Sequence, residues 1–89
     1  GLWMKKTKSR AFGPVLKHFR TERKLTQEEL AEKVGVVTSY ISMMESGQKF
    51  PNLEMLFALA EALEIAASEI VIEMEQRGGV KCLDGGRRV

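Results

Sequence analysis

The apolar positions of this chain recur at helical spacing in five successive stretches. Phe12, Val15, Leu16 and Phe19 follow the i, i+3, i+4, i+7 pattern that lines up one face of a helix. Pro14 suits the first turn of that helix, where its missing N–H costs nothing. Thr26-Gln27-Glu28-Glu29 reads as a capping box: the Thr26 hydroxyl accepts from the Glu29 N–H, and the Glu29 carboxylate reaches back to the Thr26 N–H. Leu30, Ala31 and Val34 then form an inner stripe, and Gly35 stops the helix with a left-handed residue. A short third helix is expected from Thr38 to Ser46, with Ile41 and Met44 inward and Gly47 as its stop. Asn52 caps a fourth helix, for which Leu53, Leu56, Phe57, Ala60 and Leu63 are the expected buried face. Ile65, Ile70, Val71 and Met74 predict a fifth, ending near Gln76. No strand pattern of useful length and no internal repeat appears, so the expected fold is all-α.

The two ends lack this periodicity. Residues 1–10 read as a flexible basic arm, with Met4 as the native start behind Gly1-Leu2-Trp3. Residues 77–89, which include four glycines, read as a flexible tail. A single domain over residues 11–76 fits a chain of 89 residues, and a chain this short buries only a modest core. With 44% hydrophobic and 29% charged residues the composition is that of a soluble globular chain. No apolar run approaches the roughly 18 residues of a membrane span, and the N-terminus has no signal-peptide core. The lone Cys82 cannot form an intrachain disulfide and reads as a passive thiol, which suits a reducing cytoplasm.

Charge changes the picture more than composition does. Residues 1–24 hold eight Lys and Arg against Glu22 alone, residues 25–76 hold Lys33 and Lys49 against ten acids, and residues 77–89 hold four bases against Asp84. A basic N-terminal segment suits either a polyanionic partner or a solubilising arm. The acidic middle argues against a protein that coats a polyanion, so any contact there is local and directional. His18, the single histidine, falls on the polar side of the first helix. With one histidine and one cysteine there is no metal-ligand cluster and no catalytic constellation, so no metal, no cofactor and no enzymatic activity is expected.

Two short helices joined by a tight turn at Gly35 make a helix-turn-helix. Ala31 is small where the helices cross, and Val36 and Ile41 fill the angle between them. The second helix then turns its other face outward, in the sense that enters a DNA major groove.

The run Thr26-Gln27-Glu28-Glu29-Leu30-Ala31-Glu32-Lys33-Val34-Gly35-Val36, with Tyr40-Ile41-Ser42-Met43-Met44-Glu45-Ser46-Gly47, Pro51 and Ala60-Glu61-Ala62-Leu63, closely resembles the Cro/C1-type (XRE-family) helix-turn-helix domain. The resemblance extends from about Phe12 to Val71 and implies a five-helix, lambda-repressor-like DNA-binding domain with the helix-turn-helix at helices 2 and 3. It implies Gln27 as a phosphate clamp at the start of the motif's first helix. Thr38, Ser39, Ser42 and Met43 become base-reading positions, although none is the Gln or Arg fork that family members often use, which shifts weight to indirect readout. The alternative for Met43 is core packing. Tyr40 either faces a phosphate or packs beside the groove. Gln48 and Lys49 follow the recognition helix, Lys49 standing where the family often carries a phosphate-binding base. Arg20 and Glu45 occupy the positions of a partly buried ion pair in phage repressors of the family; the alternative is two solvated charges. Three residues depart from the pattern: Val37 replaces the usual Ser-type cap, and Lys24 and Glu64 stand where the family often has a turn glycine.

The function implied is a transcriptional regulator that binds double-stranded DNA, with a palindromic operator and a homodimer formed through helix 5, from Ile70 to Met74. The alternative is an antitoxin, or another protein-interaction module that also binds DNA, with a toxin or similar protein as partner.

Overall fold

The computed structural model describes residues 7–77. The expectations for an arm at residues 1–6, a tail at residues 78–89, and the Cys82 thiol lie outside the described residues. The described residues form five α-helices and no strand: α1 Phe12–Glu22, α2 Gln27–Val34, α3 Thr38–Glu45, α4 Leu53–Leu63 and α5 Ala67–Arg77.

Side-chain hydrogen bonds mark the starts of α2, α4 and α5. Thr26 and Glu29 close the capping box of α2, with Glu29 N–H to Thr26 Oγ1 at 3.0 Å and Thr26 N–H to Glu29 Oε1 at 2.8 Å. The Asn52 side chain accepts from the Met55 N–H at 2.8 Å and starts α4. Glu69 reaches back to the Ala66 N–H at the head of α5. Lys8–Ala11, where the sequence suggested an irregular arm through residue 10, winds a 3-10 turn that leads into α1 and packs against α5. Arg10 lies over the Phe50 ring, 5.9 Å from its centroid, and so ties this turn to the loop between α3 and α4.

The core gathers one or more turns from every helix. Phe12, Val15 and Leu16 of α1 meet Leu30 and Ala31 of α2, Ile41 and Met44 of α3, Leu59, Ala60 and Leu63 of α4, and Ile70 of α5. Helix α3 packs on α1 and α2; α4 packs on α2 and α5; α5 closes over α1. The buried face of α4 differs from the expected one. Leu59 is fully buried, whereas Leu53 and Phe57 are 72% and 57% exposed. The core-facing row is Leu56, Leu59, Ala60 and Leu63, and Phe57 lies one step of about 100° off it. In α5 only Ile70 is buried; Val71 and Ile72 face outward, and Ile65 packs on the core from the loop before the helix.

Four turns among the described residues use left-handed backbone, at Lys24, Gly35, Gly47 and Glu64. Gly35, at φ 91°, ends α2 at no steric cost. Lys24 and Glu64 adopt φ 59° and 61°, which costs a residue with a Cβ about 1–2 kcal/mol. Backbone hydrogen bonds hold both: Lys24 N–H to Thr21 O at 2.9 Å and Leu25 N–H to Arg20 O at 3.1 Å in one turn, Ile65 N–H to Ala60 O at 3.0 Å in the other.

Candidate functional site

The α2–turn–α3 unit is built from the inside outward. Ala31 is buried where the helices cross, and Val36 packs into their angle, so the α3 axis is set by contacts on its Ile41 and Met44 side. Its other side is left to solvent. Ser39 and Ser42 are exposed, and Thr38 and Met43 are partly so. Tyr40 is half-buried and packs against the core edge. Met43 is half-buried beside the fully buried Met44, so it stands at the margin of the outer face.

Beyond α3, Gln48 and Lys49 are exposed. Their N–H groups both donate to Met43 O, at 2.9 and 3.3 Å, which folds the segment back under the helix end. The Gln48 amide also donates to Ser46 Oγ at 3.0 Å.

One polar cluster joins α1, α2 and α3. The Arg20 guanidinium donates from Nε to Glu45 Oε2 at 2.6 Å, from Nη2 to Glu45 Oε1 at 3.1 Å, and from Nη1 to Leu25 O at 2.7 Å. The two side chains are 11% and 6% exposed. Gln27 Nε2 donates to Glu45 Oε1 at 2.9 Å. A carboxylate only accepts, so the amide must turn its nitrogen toward Glu45. The Gln27 rotamer is thereby held, and its second N–H and its carbonyl oxygen make no hydrogen bond among the described residues. Gln27 and Thr38 share one groove of about 430 Å³, into which Arg20, Lys24 and Glu28 also face.

The sequence-predicted residues thus form two groups. Gln27, Thr38, Arg20 and Glu45 come together around the groove, while Ser39, Ser42 and Met43 line the outer side of α3 and Gln48 and Lys49 flank its end. Lys24 was legible only as a turn residue, Phe50 and Arg10 not at all, because their meeting depends on how the 3-10 turn docks. Among the described residues no group of His, Cys, Asp and Glu could hold a metal ion, and no helix is long and apolar enough to cross a membrane.

Helix α3 begins without a side-chain cap. Val37 takes extended backbone, φ −76° and ψ 153°, and is 68% exposed. Serine in that conformation would offer its hydroxyl to the Ser39 and Tyr40 N–H groups. Val37→Ser is therefore expected to raise stability by about 1 kcal/mol, seen as a gain of roughly 4–8 °C in thermal melts followed by circular dichroism. An unchanged or lower midpoint would contradict the uncapped reading.

Residues 16–70 match the protein-family model described as helix-turn-helix. The chain is 46% identical over 61 residues to the immunity repressor protein of Bacillus phage phi105, an alignment covering 68% of this chain and 42% of the repressor. It is 37% identical over 57 residues to an uncharacterized HTH-type transcriptional regulator of Methanocaldococcus jannaschii, covering 64% of this chain and 86% of that protein. Among solved structures, the clp gene regulator ClgR from Corynebacterium glutamicum superimposes with a TM-score of 0.79 at 28% identity, covering 89% of this chain and 84% of that one. The restriction-modification controller protein C.AhdI from Aeromonas hydrophila gives 0.67 at 37% identity, covering 70% and 94%. The chain spans well under half of the first curated relatives it matches, 42% of the phage repressor and 29% of the activator BcrR from Enterococcus faecalis.

Proposed function

Because this chain belongs to the helix-turn-helix family of the Cro/C1 type, whose matched relatives are repressors and other transcriptional regulators, we propose that it is a cytoplasmic, DNA-binding transcriptional regulator that reads a palindromic operator as a homodimer. The observation that carries the reading is the outer side of α3: Ser39 and Ser42 stand exposed with Thr38 and Met43 at their margins, on a helix whose axis is fixed by buried Ile41 and Met44.

In this reading the N-terminal half of α3 enters the major groove. Thr38, Ser39 and Ser42 hydroxyls meet base edges as donors or acceptors, and the Met43 thioether meets a thymine methyl. Hydroxyls discriminate bases weakly, so the deformability of the operator supplies part of the specificity. Gln27 donates its second amide N–H to a backbone phosphate; its bond to Glu45 means that little rotamer freedom is lost on binding. Lys49 and Gln48 meet phosphates beyond the end of α3, while Tyr40, in its first turn, packs beside the groove. One such domain covers few base pairs, which is why two copies are needed for useful specificity. The exposed Val71 and Ile72 of α5 support that helix as the dimer surface.

The test is selection of bound duplexes from a random pool, followed by binding of the winner at two salt concentrations and sedimentation with and without it. The expected result is an enriched inverted repeat, bound as a dimer and more weakly at high salt. A pool from which nothing enriches, with equally weak binding to every duplex, overturns the reading. The exposed Leu53 and Phe57 on α4 favour a second one, a DNA-binding module that also holds a protein such as a toxin; a partner that co-purifies stoichiometrically and is lost in Phe57→Asp supports it.

A further inference from the structure

We propose that Lys24, in the turn between α1 and α2, is a further DNA-phosphate contact of this chain, reaching the backbone from the same groove as Gln27. The inference rests on the DNA-binding reading above and extends it to a residue that the helix-turn-helix itself does not include.

Lys24 is exposed and takes a left-handed conformation, φ 59°, that a glycine would adopt freely. Lys24 lines the groove of about 430 Å³ together with Arg20, Gln27, Glu28 and Thr38. The charges there are unequal in what they offer a polyanion. The Arg20 guanidinium is committed to Glu45 at 2.6 Å and to the Leu25 carbonyl oxygen at 2.7 Å. Glu28 presents an acid to the same groove. Lys24 makes no ion pair within 4 Å among the described residues, and it lines the same groove as Gln27 and Glu28, so it is the uncommitted cation there. Without it, a phosphate approaching Gln27 meets Glu28 uncompensated. A lysine stem is long and flexible enough to carry its charge to the rim of the groove from a fixed turn.

The same strain at Glu64 provides an internal control. Its left-handed turn lies between α4 and α5, its carboxylate is paired with Arg23 at 3.6 Å, and it does not line this groove. Glycine relieves the left-handed strain at both positions while adding backbone entropy to the unfolded chain, so the melting temperature should not fall at either. Only at Lys24 should the substitution weaken DNA binding.

The experiment measures Lys24→Gly, Lys24→Arg and Glu64→Gly by thermal melting and by titration of two probes, the duplex enriched from the random pool and a random-sequence duplex, over a range of salt. Lys24→Gly is expected to melt no lower than the parent yet bind both duplexes roughly three- to tenfold more weakly, with the slope of log affinity against log salt reduced by about 0.9 for each bound protomer. A phosphate contact carries no sequence information, so the ratio between the two probes should not change. Lys24→Arg should restore the affinity, and Glu64→Gly should bind as the parent does. Parental affinity and parental salt slope in Lys24→Gly overturn the inference and leave the DNA-binding reading standing. A parent that binds neither duplex overturns that reading, and this inference with it.

Discussion

Glu45→Ala is expected to lower the melting temperature by at least about 12 °C, from a loss of about 3 kcal/mol. The Glu45 carboxylate, 6% exposed, accepts from Arg20 Nε, Arg20 Nη2 and Gln27 Nε2. Truncation leaves a guanidinium 11% exposed with one remaining bond, to Leu25 O. Breaking a buried pair from one side costs about 3–5 kcal/mol because the surviving charge has been taken from water without compensation. The lower end applies here, since Arg20 also borders the groove and water can reach its edge. A fall under about 2 °C would mean that the two charges act as a solvated surface pair. Glu45→Gln should fall between, since its amide oxygen still accepts from Arg20 while the charge is lost. The same substitution frees the Gln27 amide, so its effect on DNA affinity should exceed what unfolding alone accounts for.

Gly13→Ala should also be severely destabilising, by about 2–3 kcal/mol, or roughly 10–20 °C in the melting midpoint. In an exposed helix the same change is stabilising by about 1 kcal/mol, so the sign itself tests the packing. Gly13 is buried in the first turn of α1, against the last turn of α3. A Cβ there would overlap the Glu45 carbonyl oxygen and lie 2.9 Å from the Met44 carbonyl oxygen. Both are backbone atoms, so no side chain can swing aside; α1 must slide off α3. That movement would open the packing of Phe12, Val15 and Leu16 and stretch the Arg20–Glu45 pair, which spans the same two helices. The losses from Gly13→Ala and Glu45→Ala should therefore be less than additive in the double variant. A neutral or stabilised Gly13→Ala would show that the helices separate without cost.

Much of this molecule follows from local pattern. The capping box at Thr26, the Asn52 cap, the Gly35 stop and the stripes of α1, α2 and α3 are short-range features, in which each residue's role depends on neighbours within about one turn. The all-α class, the helix-turn-helix and the identity of its outer residues were legible for that reason, and the resemblance to the Cro/C1 type supplied Arg20 and Glu45 as partners across 25 positions.

The rest was decided by tertiary structure. Helix α4 reads Leu-Glu-Met-Leu-Phe-Ala-Leu-Ala-Glu-Ala-Leu. With apolar residues on more than one stripe, periodicity cannot say which stripe is inside; packing on α2 and α5 buried Leu59 and left Leu53 and Phe57 in solvent. Gly13 looks like any helix glycine until the backbone of α3 is laid against it. Lys24 and Gln27 are three residues apart, but only the docking of α3 brings Thr38 to them and makes a groove. Local sequence settled which segments become helices and where they stop, because propensity and capping act within a turn. Which faces touch, and which charges are left without partners, depended on contacts between residues far apart in the chain.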